Sequence, residues 1–251
     1  MKISEIIRIL DNDFSFSCAE DWDNCGLIVG DAESSVTKIL VCLDVTLAVL
    51  DYASQCGCEL IISHHPVIFK AKKRFYAGSV EYEAARRSIG IIALHTNLDK
   101  AVGGVNDSLC DALGLCFEKI SEPVCDGFLN VVSFEEKISV GDFARFVRQR
   151  LNTVVQYVEG SQFITRLGVC SGAGAEFVEA AAELSCDGFL TGEAKYHEFL
   201  DAEFMGISLI TAGHFETEIP VIKPFAEKLR ELLVDTEVFE YNSANIIKTE
   251  Y

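Results

Sequence analysis

Two adjacent histidines close an apolar run in Ile61-Ile62-Ser63-His64-His65-Pro66, a position where packing gives no reason for an imidazole. Histidine is a common metal ligand and a proton carrier near neutral pH, so the pair reads either as ligands or as half-buried rings bonded to backbone. Successive residues on a strand face opposite ways, and both rings can serve one site only where the strand breaks. Pro66 supplies that break, because proline cannot donate to a sheet ladder and forces His65 into an extended conformation. A second cluster follows in His95-Thr96-Asn97-Leu98-Asp99, with Gly103-Gly104 and Asn106 beyond it. Asp99 offers a hard anionic oxygen, or serves as an ordinary turn carboxylate. The glycines permit a tight turn, and Asn106 can cap the helix after it. In the third cluster, Gly213-His214-Phe215-Glu216-Thr217-Glu218, a helix starting near Gly213 places His214 and Glu218 one turn apart on one face. Such a pair can share a metal ion, or can simply face solvent.

The elements that must position these groups follow from apolar periodicity. Helices are expected over residues 3–10 (Ser4 as N-cap), 47–56, 80–88 and 106–113, and strands over 38–46, 60–63 and 90–94. The composition changes at Pro123, after which strands 128–133 and 153–158 flank a helix over 140–151. From Leu167 the first pattern returns: strand, helix 176–184, strand 188–191, helix 194–204, strand 207–211 and helix 216–233. This alternation predicts an α/β protein of two similar units with mainly parallel sheets, residues 1–122 and 123–251, the second including a short connecting segment 123–165. The two units are expected to face each other across a dinuclear metal site, as a weak duplication would place them. All five histidines, His64, His65, His95, His197 and His214, fall at or just beyond a predicted strand end. Strand C-termini of one sheet converge, and ligands gather there. Nitrogen and carboxylate donors in these numbers suit two divalent ions, Zn, Mn, Fe or Co, bridged by a carboxylate.

Composition narrows the partners. The 251 residues carry a formal net charge of −18, with 39 Asp and Glu against 21 Lys and Arg. That balance argues against a nucleic-acid partner, whose binding needs Lys and Arg to displace counterions, and no basic stripe offsets it. A cation held inside the site would reverse the local field for an anionic small molecule. Ten cysteines without a Cys-x-x-Cys spacing read as small buried hydrophobes of a reducing, cytoplasmic protein. No signal segment and no membrane span are expected.

The motifs as a set resemble the NIF-three-like dinuclear metal-centre family, also labelled GTP cyclohydrolase 1 type 2 homologues. They run nearly end to end: Glu20-Asp21-Trp22-Asp23-Asn24, Gly26-Leu27, Val29-Gly30-Asp31, Ser63-His64-His65-Pro66 with Phe69, His95-Thr96-Asn97-Leu98-Asp99 with Gly103-Gly104-Val105-Asn106-Asp107, Thr191-Gly192-Glu193 with Lys195-Tyr196-His197, and Gly213-His214 with Glu218. Glu193 stands where many members carry Asp. The resemblance implies metal ligation by His64, His65, Asp99, His214 and Glu218, with Glu218 bridging, and a toroidal homohexamer. The short 123–165 region resembles the minimal form of the family.

Two functions follow as expectations. One is a metal-dependent hydrolase using metal-activated water, of GTP cyclohydrolase type or acting on phosphoesters, with His95 and His197 as catalytic candidates for proton transfer or substrate contact. The family label is the source for a nucleotide substrate, since no Walker phosphate loop is present. The other is a non-catalytic metal-binding, metal-delivering or scaffolding ring.

Overall fold

The apolar runs at 60–63, 90–93, 188–191 and 208–211 become strands buried along their whole length, with the polar residues that follow each run left at the sheet edge. The computed structural model describes residues 1–120 and 126–248. Along the chain it begins with α1 (Ile3–Asp13), β1 (Gly26–Val29), β2 (Lys38–Cys42), α2 (Leu47–Cys56), β3 (Leu60–Ser63), α3 (Val80–Arg86), β4 (Gly90–Ala93) and α4 (Thr96–Lys100). Then come α5 (Val105–Leu113), β5 (Glu118–Ile120), β6 (Leu129–Ser139), α6 (Val140–Leu151), β7 (Gln156–Tyr157), β8 (Phe163–Val169), α7 (Val178–Glu183) and β9 (Gly188–Thr191). The chain finishes with α8 (Tyr196–Met205), β10 (Ser208–Thr211), α9 (His214–Glu218), α10 (Ile222–Leu232) and β11 (Glu237–Glu240). The result is a mixed α/β fold with two sheets among the described residues.

The first compact unit comprises Met1–Ala101 and Ile222–Ile246. Its sheet runs β1-β4-β3-β2-β11, with β1 antiparallel and the rest parallel. Register matters most here. Cys42 lies beside Ser63 and Ser63 beside Ala93, so three parallel strands end level. The residues after them, Asp44, His64, His65 and His95, therefore leave the sheet along one edge. Helix α2 is set by Thr46, whose hydroxyl accepts from Val49 N–H, and stops at Gly57 with a left-handed φ of 72°.

The second unit comprises Val102–Val221 and the residues from Ile247. Its sheet runs β5-β6-β8-β9-β10-β7. Strands β8, β9 and β10 are parallel, and Thr191 lies beside Thr211. The turns at Ser171–Gly174, Gly192–Glu193 and Gly213–His214 thus share an edge. Phe189, Leu167, Leu190, Leu209 and Ile210 are fully buried in its core.

Several expectations need correction. The first sheet is mainly parallel, but the second is mixed, since β5–β6, β6–β8 and β10–β7 are antiparallel. Strands β1, β5 and β11 were outside the sequence reading, whose 153–158 strand shortens to β7. Residues 216–233 do not form one helix. They divide into the end of α9, a 3-10 turn at Ile219–Val221 and α10, because Pro220 has no N–H for a helical bond. Ser4 does not cap α1. The N-cap is Lys2, whose backbone N–H donates to the Glu5 carboxylate at 2.7 Å. The sequence cut at 122/123 lies outside the described residues, and Ile222–Ile246 joins the first unit through β11 on β2. None of the nine described cysteines is in a disulfide, and Cys125 lies outside the described residues. No described helix is long and apolar enough to cross a membrane.

Asn106 does not cap α5 either, since Gly104 holds that place. It is fully buried and ties α5 to its own sheet. Its side-chain oxygen accepts from Ser171 N–H at 2.7 Å and the Ser171 hydroxyl at 2.8 Å, while its amide donates to Phe128 C=O at 2.9 Å. Asn106→Ala deprives buried groups of these partners. It is expected to cost about 1–3 kcal/mol or more in chemical denaturation; an unchanged denaturation midpoint would refute this role.

Candidate metal centre

In the first unit the strand ladder carries past β3. His64 N–H donates to Cys42 C=O at 3.1 Å and His65 N–H to Leu43 C=O at 3.0 Å. The chain then turns, with the Ser63 hydroxyl donating to His65 C=O at 2.9 Å. This local bend brings neighbouring rings together, with centroids 4.8 Å apart. His95, at the N-cap of α4, joins them at 5.1 Å from His64 and 5.6 Å from His65, again between centroids. One ring nitrogen from each of the three lies within 4.8 Å of the others. Asp99 is on the first turn of α4, and its Oδ1 stands 3.6 Å from His64 Nε2.

Every one of these rings is held at Nδ1. His64 Nδ1 meets Leu94 C=O at 3.0 Å, His65 Nδ1 meets Asp44 Oδ1 at 2.8 Å, and His95 Nδ1 meets Asp23 Oδ1 at 2.9 Å. A carbonyl or carboxylate oxygen can only accept, so Nδ1 carries the proton and the Nε2 lone pair is left for a cation. Asp23 is itself fixed. Its other oxygen accepts from Thr96 N–H at 3.0 Å and the Thr96 hydroxyl at 2.6 Å. Burial alone would raise the Asp23 carboxyl, but the hydrogen bonds from His95 and Thr96 hold it well below the usual carboxylate range. Beside it, burial pushes the Cys25 thiol up to about 12, which leaves Cys25 a hydrogen-bonding packing group and no nucleophile.

In the second unit β10 ends at Thr211, and Gly213, with φ 87°, turns the chain into α9. His214 and Glu218 occupy one face of that helix, Nε2 to Oε1 at 3.0 Å, and Glu193 Oε1 stands 3.2 Å from His214 Nδ1. The same Nδ1 clamp recurs. Glycine is required behind the carboxylate. A Cβ on Gly172, which has φ +58°, would collide with Glu218 Oε1, and one on Gly192 would come within 2.9 Å of the His214 backbone. Thr217 locks the arrangement by accepting from Gly172 N–H at 3.0 Å.

His64, His65, His95 and Asp99 are thus assembled in the first unit, and His214 and Glu218 in the second. His197 is not part of either group. It lies on the exposed side of α8, six residues past β9, and forms no hydrogen bond or ion pair among the described residues. Asp23, Asp44, Glu193 and the glycines at 172 and 192 escaped assignment by sequence. Asp44 and Glu193 stand after apolar runs, and Asp23, Gly192 and Glu193 lie within the family motifs, so each carried a signal without a role. The donor set fits a divalent transition metal, being imidazole nitrogens with the correct tautomer enforced and carboxylates nearby. Each unit thus carries candidate metal-ligating groups, His64, His65 and His95 with Asp99 in the first and His214 with Glu218 in the second.

Comparison with known proteins agrees with the motifs. The family model described as Duf34/NIF3 (NGG1p interacting factor 3) matches residues 1–246. A Clostridium perfringens protein called GTP cyclohydrolase 1 type 2 homolog is 31% identical over 248 residues, covering 95% of this chain and 94% of its own. A Campylobacter jejuni protein of the same description is 34% identical over 238 residues, covering 92% and 93%. Among solved structures, the Staphylococcus aureus hypothetical protein SA1388 superposes with a TM-score of 0.89 at 28% identity, covering 100% of this chain and 99% of its own.

The clamp on His65 is open to test because Asp44 is half exposed and its removal leaves the core intact. Asp44→Ala is expected to weaken Zn²⁺ or Mn²⁺ affinity about 10–100-fold, measured by competition with a chelating dye. Unaltered affinity would show that the Asp44–His65 bond does not tune a ligand.

Proposed function

The chain belongs to the Duf34/NIF3 family, and from that premise we propose that it is a metal-dependent hydrolase whose ions are held by His64, His65, Asp99, His214 and Glu218. The observation that carries this reading is the Nδ1 clamp on four histidines, two by carboxylates in the first unit, one by a carbonyl there and one by a carboxylate in the second. Imidazoles oriented in this way by oxygen acceptors, with carboxylates beside them, are suited to metal binding. Two divalent ions, drawn from Zn, Mn, Fe and Co, would supply Lewis acidity, lowering the pKa of bound water and neutralising charge on substrate oxygens.

The protein's own contribution is placement. Asp44 and Leu94 C=O orient the two adjacent histidines, and Glu218 bears on whatever His214 holds because Gly172 leaves room for it. His95, held by Asp23 beside two ligand rings, is positioned to carry a proton to or from substrate. His197, being exposed, has the weaker claim. The substrate class in this reading is a nucleotide or another phosphoester, consistent with the description carried by the C. perfringens and C. jejuni relatives. Assembly as a toroidal homohexamer belongs to the same proposal, and a monomer at micromolar concentration in sedimentation would remove it.

Protein stripped and reloaded with each of the four metals should turn over GTP or a member of a phosphoester panel. Glu218→Gln should lose both turnover and bound metal, whereas His95→Gln should keep its metal and lose about 10²-fold or more in kcat. Tight stoichiometric metal binding with no turnover of any compound would replace the enzyme by a non-catalytic metal-holding protein.

A further inference from the structure

The residues after the paired histidines are unlike the rest of this acidic chain. Lys70, Lys72, Lys73 and Arg74 put four of its 21 cationic residues into five positions, flanked by Phe69 on one side and Phe75 and Tyr76 on the other, and the whole stretch from Phe69 to Gly78 is exposed. The expectation that no basic segment offsets the net charge misses this loop. Lys72 is committed to an ion pair with buried Glu81. Lys70, Lys73 and Arg74 form no hydrogen bond or ion pair among the described residues. In a chain with 39 acids, three cations in one exposed loop that make no ion pair among the described residues mark a place for an external anion.

An aromatic edge adjoins that loop. Trp22, 59% exposed, and Phe69, 51% exposed, meet edge to face with centroids 5.7 Å apart. Both also touch His95, at 6.2 and 6.0 Å between centroids. Asn24 holds the two stretches together, its amide donating to Ile68 C=O at 2.7 Å. Large aromatic groups this exposed are held where a flat partner can reach them, one ring away from the histidine cluster.

We propose that Trp22, Phe69 and the loop Lys70–Arg74 form a nucleotide-positioning site: a heteroaromatic base packs on the Trp22–Phe69 edge, and phosphate oxygens take Lys70, Lys73 and Arg74. The combination of π-faces and unpaired cations selects a ligand carrying both a flat ring and phosphate. A charge of −18 repels a long polyanion, so the ligand is a free mononucleotide and not a stretch of single strand. This rests on and deepens the hydrolase reading by assigning residues to the base and the phosphate of its substrate, but binding at the loop does not need the ions.

Trp22 is the only tryptophan in the chain, so its fluorescence reports the edge directly. The full chain, metal-stripped and metal-loaded, is titrated with GMP, guanosine, pyrophosphate and a short oligothymidylate. Saturable quenching by GMP is expected in both states, with guanosine weaker by about tenfold or more because it lacks the phosphate contacts. The triple variant Lys70→Gln/Lys73→Gln/Arg74→Gln, all surface positions, should weaken GMP by about tenfold or more and leave guanosine unchanged. No saturable quenching in either state, or a triple variant that binds GMP as tightly as the parent, overturns the site. Tighter binding of the oligothymidylate than of GMP overturns the assignment to a free nucleotide. GMP binding without any turnover would remove the hydrolase and keep the site, whereas turnover with an unchanged KM in the triple variant would do the reverse.

Discussion

The tautomer of an imidazole is decided by whichever nitrogen finds an acceptor, and in the first unit each of the three clustered rings finds an oxygen at Nδ1. Leu94 C=O, Asp44 and Asp23 each take that proton from a different ring, while His214 meets Glu193 at Nδ1 and Glu218 at Nε2. Neither nitrogen of a neutral histidine is committed in water, so a ligand nitrogen must be secured before a cation arrives. The rest of the molecule can be understood as the means of keeping four oxygen atoms beside four Nδ1 atoms. Loss of one would leave its ring free to rotate or to protonate, and a metal would then compete with a proton for the same lone pair.

Strand register is what puts those acceptors in place. Because Cys42, Ser63 and Ala93 lie side by side, Asp44 comes level with His65, and Leu94 with His64, without any long loop. The second unit reaches the same end differently. Thr191 and Thr211 end level, but glycines at 172, 192 and 213 are needed so that backbone can approach α9 closely. The first arrangement depends on ladder hydrogen bonds and the second on missing side chains, so they differ in which substitutions they tolerate.

Much of this was legible in the amino-acid sequence. Strands β3 and β9 and helices α2 and α6 have the bounds that apolar periodicity predicts; α2 and α6 start at a hydroxyl cap and stop at Gly57 and Asn152, β9 stops at Gly192, and β3 stops where the apolar run meets His64. Clusters at 64–65, 95–99 and 214–218 were readable because histidine is scarce in this chain and sits after apolar runs. What escaped was of two kinds. Asp23 and Glu193 act through partners far away in sequence, 72 and 21 positions from His95 and His214, and no local pattern marks such a pairing. Strands β1, β5 and β11 are short and half exposed, so they lack the buried run by which β3 was found. His197 was misplaced by its spacing, because the four residues between Thr191 and α8 turn the chain and hand it to a surface helix.

The return of β11 to pair with β2 has a bearing on how the molecule comes into being. On a ribosome the chain emerges N-terminal end first, and β2, β3 and β4 are complete long before Glu237 appears. Throughout that interval the β2 edge presents open N–H and C=O groups, the kind of surface that recruits a stray strand. The histidine-bearing sheet therefore finishes last, although most of its residues are made first, and a nascent chain stalled before residue 237 carries an unfinished edge that a chaperone or a neighbouring copy can occupy.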